Sequence, residues 1–207
     1  MGQGRRGIIW AVVAVCSVGA PATARNIPQP GAAFGRTVVL APIGGRVLVD
    51  AGSGFVRLTS PRAVPVGTLV DTTAGTVSLT SADPNGKTQS GRFFRGAFRI
   101  QQSRTKGGLV NLVIRDNLTQ TACAAKPARS AAVNQKVLGL LRGTAKGRFR
   151  TTGRFAAATV RGTDWGVRDR CDGTLTVVRR GVVVVRDFRL HKTVVVRAGQ
   201  TYLAKAG

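Results

Sequence analysis

The sequence predicts a mainly β fold, a β-sandwich or rolled sheet of short strands. Three observations support that reading. Runs of alternating or β-branched residues recur at short intervals, Asp-Gly, Gly-Ser-Gly and Asp-Pro-Asn-Gly breaks punctuate them, and the chain contains no glutamate, one of the good helix formers. The clearest stretch is Ala158–Gly199. It holds three such runs, Ala158–Val167, Thr174–Val185 and Thr193–Val196. Asp172-Gly173 breaks the first from the second, Gly181 interrupts the second, and His191-Lys192 forms a turn before the third.

Compartment is written at the N-terminus. Arg5 and Arg6 precede the apolar run Gly7–Val15, and Ala22-Thr23-Ala24 precedes Arg25. That order is a secretory signal peptide over 1–24, with cleavage after Ala24. The run is shorter than the ~20 residues of a comfortable membrane span. An uncleaved N-terminal anchor is the alternative. Val15 before Cys16 is too large for a lipoprotein site, and Arg5-Arg6 lacks the flanks of a twin-arginine signal. Cleavage would leave 30 basic residues against 8 acidic ones, a net charge of +22. Arg, Ala, Gly and Val dominate, which fits a GC-rich coding bias as well as a functional charge.

Residues 25–35 carry Pro28, Pro30 and Gly31 and read as a flexible lead-in. Thr37–Leu40, Arg46–Val49 and Phe55–Leu58 follow as short strands, turned by Gly44-Gly45 and Gly52-Ser53-Gly54. A loop between Pro61 and Pro65 leads to strands at Thr68–Asp71 and Thr76–Thr80, separated by Ala74-Gly75. Asp83–Gly86 is a strong turn. Gly91–Phe98 (GRFFRGAF) is echoed by Gly147–Phe155 (GRFRTTGRF), which suggests a repeated turn whose aromatics enter the core while Arg stays wet. Coincidence of two Gly/Arg/Phe-rich segments is the alternative. Leu109–Ile114 is a further strand and Thr119–Ala132 a loop. Val133–Leu141 is open between helix and strand.

Two sets of residues resemble the FecR-like domain. In the second half they are Val160-Arg161-Gly162-Thr163-Asp164-Trp165 with Val167, Asp172-Gly173-Thr174, Arg180–Val184 and Val194–Gln200. In the first half they are Phe55–Leu58, Val64–Asp71 and Gly75–Thr80. Trp165 stands where that family usually has Phe, and Arg180 where an acidic residue often precedes the glycine. The resemblance covers about 36–90 and 147–204. It implies one FecR-like β domain over 36–204, with an insertion at about 100–146. It further implies an extracytoplasmic signalling or assembly module without catalytic residues. Classical members also carry a cytoplasmic segment that contacts a sigma factor. About six residues precede the apolar run here, so that role is not expected to transfer.

Cys123 and Cys171 are the two cysteines beyond the signal segment, and in an exported chain they are expected to pair. The bridge would close a loop of about 50 residues, worth roughly 4 kcal/mol in the chain-entropy model. A single histidine and two distant cysteines give no metal-ligand spacing, so no metal or cofactor is expected. A hydrolytic triad would need His191 with a carboxylate such as Asp187 and a serine such as Ser53, which lacks a nucleophile-elbow motif. His191 lies between Arg189 and Lys192 and reads as a turn residue, so the chain is expected not to be an enzyme.

The basic residues are the remaining hint. Arg148, Arg150 and Arg154 cluster, as do Arg168 with Arg170, Arg179 with Arg180, and Arg186 with Arg189. Arg148 and Arg150 would share a strand face. The expected partner is an envelope protein or an anionic polymer: wall polymer, anionic lipid, acidic polysaccharide or, non-specifically, DNA. Few aromatics interleave with the arginines, so stacking on single-stranded bases is not indicated. The alternative is a solvated basic surface without a dedicated partner.

Overall fold

A computed structural model describes Met1, residues 31–116, Cys123 and residues 135–207. The expected signal segment beyond Met1 with its expected cleavage point, residues 25–30 of the expected lead-in, and the expected Thr119–Ala132 loop apart from Cys123 lie outside the described residues.

The chain is mainly β, and its sheet forms a small barrel. The strands in order are β1 (Thr37–Asp50), β2 (Val56–Arg57), β3 (Arg62–Pro65), β4 (Leu69–Ala82), β5 (Thr88–Phe94), β6 (Ala97–Gln102), β7 (Val110–Arg115), β8 (Val137–Thr152), β9 (Ala156–Arg170), β10 (Gly173–Arg180), β11 (Val182–Asp187), β12 (Thr193–Arg197) and β13 (Thr201–Lys205). The open stretch at Val133–Leu141 is thus strand from Val137 onward.

The expectation of uniformly short strands is corrected. β1 and β4 run 14 residues each, β8 16 and β9 15. Gly44-Gly45 and Ala74-Gly75 are not turns between strands. Gly45 faces Gly75 across the β1–β4 ladder, which continues past both with register shifts at Pro42/Gly44 and Arg46/Leu48. A Cβ on Gly45 would lie 2.2 Å from the Ala74 carbonyl oxygen. The glycines therefore let two kinked strands press together, a role that looks like a turn signal in sequence alone.

Of the two expected forms, sandwich and rolled sheet, the sheet takes the rolled one. β4 pairs with β5 through its second half and with β6 through its first. β8 pairs with β5 through Arg142–Lys146. It then pairs with β7, in parallel, through Phe149–Thr152. With β6 on β7, the ring β4–β5–β8–β7–β6 is closed. Segment 100–146, outside the FecR-like resemblance, supplies β7 and the first half of β8 to this ring.

Four aromatics fill it. Phe93 sits 5.8 Å from Phe98, 5.5 Å from Phe149 and 6.1 Å from Trp165, centroid to centroid, all tilted or edge-on. These are the arrangements that ring quadrupoles favour. The Trp165 indole N–H donates to Thr151 Oγ1 at 3.1 Å, so its one polar atom is satisfied in the core.

The repeat lies elsewhere than the echo suggests. Gly91–Phe98 spans β5, a corner and the start of β6, whereas Gly147–Phe155 spans the end of β8 and its turn into β9. The two are not equivalent in the fold, although Phe93 and Phe149 do meet in the core. What does repeat is topology. β10 pairs with the second half of β9 and β11 with the first, as β5 and β6 do on β4. A glycine turns the corner each time. A Cβ on Gly96 would collide with the Leu140 carbonyl, and Gly181 has φ +83°. β7 on β6 and β12 on β11 complete the parallel.

Cys123 and Cys171 are bonded, with S–S 2.05 Å. The bridge ties the chain beyond β7 to the β9–β10 turn. No helix among the described residues is long and apolar enough to cross a membrane.

Candidate anion-binding face

Alternation along β4, β5, β8, β9 and β10 puts one set of side chains in the core and the other on the outer face. Pairing aligns the outer set in rows. One row runs Ser78, Arg92, Thr144, Asp164, Arg180. The next holds Thr80, Ser90 and Lys146, and a third Thr76, Phe94, Arg142 and Gly166. Small residues at Ser78, Ser90, Thr144 and Gly162 leave a shallow groove of about 750 Å³, walled by Arg92, Lys146 and Arg180. All three cations are exposed. The Arg142 guanidinium lies 5.1 Å from the Phe94 ring centroid, an orientation that fixes one more positive charge beside the groove. Asp164 is half-buried, and its Oδ1 is shielded from water with no hydrogen-bond partner among the described residues.

The electrostatics follow from where the carboxylates go. Asp50 accepts the N–H groups of Gly52 and Gly54, Asp71 that of Thr73, and Asp83 those of Asn85 and Lys87. Asp187 accepts from the Leu190 N–H at 2.9 Å and the Tyr202 hydroxyl at 2.7 Å. Asp169 accepts the Arg154 N–H and the Thr174 hydroxyl. Only Asp116 and Asp172 form ion pairs among the described residues, with Arg154 at 3.1 Å and with Arg170. Five of the eight carboxylates thus bond to backbone N–H groups and two to arginines, so most cations have no ion-pair partner among the described residues and the face keeps a net positive field.

Burial raises the Asp169 carboxyl, with Thr174 and the Arg154 N–H opposing and Asp116 adding to the rise. Burial also raises Asp116 against the pull of Arg154. Burial pushes at Asp187 as well, but hydrogen bonds from Leu190, Tyr202 and Arg189 and the charge of Lys192 outweigh it and hold that carboxyl low. Tyr202 is pushed up to about 12 by burial and by its bond to Asp187.

The basic residues singled out from sequence do not form one surface. Arg148 and Arg150 do share the outer face of β8, but they border a second groove with Lys106. Arg180 walls the first groove. Arg168 and Arg179 are exposed on β9 and β10. Arg154 and Arg170 are half-buried in their ion pairs. Arg92, Lys146 and Arg142 were not among the expected surface residues. The hairpin centred on Asp83–Gly86 could have placed Arg92 opposite Ser78, since its register runs without a slip. His191 is exposed in the β11–β12 turn with φ 49°, while the Asp187 carboxylate is directed at Tyr202 and Leu190. Among the described residues no group of three or more His, Cys, Asp or Glu side chains is placed to hold a metal.

Comparison of the chain with family models, with curated proteins and with solved structures gives no match.

Proposed function

We propose that this chain is a non-enzymatic, exported module that holds an anionic component of the cell envelope against its outer sheet face. The observation that carries the reading is the disposal of the acids. Thirty basic residues beyond the expected signal segment face eight aspartates, and five of those aspartates bond to backbone N–H groups. The first groove sets Arg92, Lys146 and Arg180 around small hydroxyl side chains, which suits a flexible phosphate- or carboxylate-bearing chain. The disulfide is compatible with export. The FecR-like resemblance supports the extracytoplasmic, non-catalytic part of the proposal. It also leaves an envelope protein as the alternative partner.

A salt titration separates the two partners. With poly(glycerol phosphate) as probe, three side chains on three phosphates predict a slope of log K against log salt of about −2, on the single-strand coefficient. Arg92→Gln with Arg180→Gln should flatten it by about 1.4. An unchanged slope in that double variant would remove the groove from the proposal. Capture of an envelope protein that resists high salt would favour the protein partner.

A further inference from the structure

The second groove differs from the first in having an apolar side. Its lining includes Lys106, Arg148 and Arg150 along one wall and Val182 and Val184 along the other, over a floor of Leu109 and Val160, with a volume of about 650 Å³. The floor residues are buried, whereas both wall valines are 41% exposed. Val195, paired with Val184 on β12, extends that wall and is 53% exposed. The two arginines are held in place without being neutralised. Arg148 donates through Nη1 to the Gly107 carbonyl at 3.2 Å, and its backbone N–H to Gln89 Oε1 at 2.7 Å. Arg150 donates through Nε to Thr159 Oγ1 at 3.2 Å, which leaves its two Nη groups for another acceptor. No carboxylate pairs with any of the three among the described residues.

We propose that this groove binds a single-chain anionic amphiphile, its carboxylate or phosphate head on Arg148, Arg150 and Lys106 and its alkyl tail along Val182, Val184 and Val195. A soluble polyanion would leave the valine wall idle, and a neutral apolar ligand would cover the wall but leave the three cations without an acceptor; an anionic amphiphile satisfies both walls. The site is separate from the polyanion groove, and neither proposal depends on the other.

The test is calorimetry on the intact chain with ligands kept below their micelle concentrations. The series is decanoate and dodecanoate, lysophosphatidylglycerol, lysophosphatidylcholine and glycerol phosphate. Binding of either anionic amphiphile supports the site, and the carboxylate and phosphate arms tell a fatty acid from a lipid headgroup. Two added methylenes should tighten binding by about tenfold. Further lengthening should add little once the tail outruns the wall, unlike partition into a bilayer. Arg150→Gln should weaken binding about tenfold and Val184→Thr about threefold, with thermal unfolding unchanged because both side chains lie on the outer face. Partition onto the N-terminal apolar run would be indifferent to both substitutions, so insensitivity overturns the proposal. Equal binding of lysophosphatidylcholine or of glycerol phosphate also overturns it, as does a dimer by light scattering that Val184→Thr dissociates, since a second copy would then cover the wall.

Discussion

The floor of the first groove rests on Phe93, and that support can be measured. Gly91 and Gly143 face the core on β5 and β8 where a side chain would be expected. A Cβ on Gly143 would lie 2.8 Å from Phe93 Cδ1 and 2.9 Å from Cε1, and one on Gly91 2.7 Å from Cζ. The ring thus occupies the space that both glycines vacate. Arg92 stands between Gly91 and Phe93 and is held outward by them. Gly143→Ala alone should destabilise by about 1–2 kcal/mol, because overpacking of ~1–3 kcal/mol exceeds the ~0.5–1 kcal/mol gained by replacing a strand glycine. Phe93→Val removes every ring atom facing Gly143, along with three aromatic pairs. Its cost should be about 3–4 kcal/mol, within the ~5–15 kcal/mol of a typical domain. In the Phe93→Val background the added methyl enters vacated space, and Gly143→Ala should become neutral or mildly stabilising. The coupling is then about 1–3 kcal/mol and favours the double variant. Urea unfolding of the four proteins, with equal m-values as the two-state check, reads it directly. Additivity within about 0.5 kcal/mol would refute the claim that ring and glycines are made for each other.

Other outcomes follow from the titrating groups and the disulfide. Tyr202 is the chain's single tyrosine, so tyrosinate absorbance reports it alone, and its midpoint should lie at about 12. Asp187→Asn should move that midpoint down toward 10 by removing the charge on its acceptor. The stabilisation from Tyr202 is whole below pH 10 and is lost as pH rises through 12. Asp169 has the same sign: its folded carboxyl is raised, so its contribution is present below 3.8 and is lost as pH rises through the shifted value. Stability of Asp169→Asn relative to the parent should therefore increase as pH climbs out of the acid range, seen in urea melts at stepped pH. Asp187 is lowered and acts oppositely: its contribution is present above 3.8 and fades as pH falls through its depressed value. Replacing Cys123 and Cys171 by serine should cost roughly 4 kcal/mol in the same melts, while the slope of polyanion binding against salt stays unchanged.

How much of this was legible in the sequence depends on the range of the signal. Local signals were readable: alternation placed strands, Asp83–Gly86 made a turn, and Cys123 and Cys171 paired. Gly45 and Gly75 misled because one residue type serves both turns and close strand approach, and only the partner strand tells which. The basic surface failed for a related reason. Arg148 and Arg150 were grouped correctly, being two apart on one strand, whereas Arg154, four further on, lies past the end of β8 and turns to Asp116. Grouping Arg92 with Lys146 and Arg180 requires three registers at once. One of them contains a slip between Ala145 and Arg148, and another a slip between Val178 and Arg180. A slip of one residue exchanges core and surface for every side chain beyond it, so no reading of charge along the chain could have found that face. The barrel itself is closed by a parallel contact between β7 and β8, across the segment that holds Cys123. Local sequence does not encode such a pairing. It becomes favourable only when Phe149 and its neighbours bury against Phe93, so the core that closes the ring is also what assembles the groove above it.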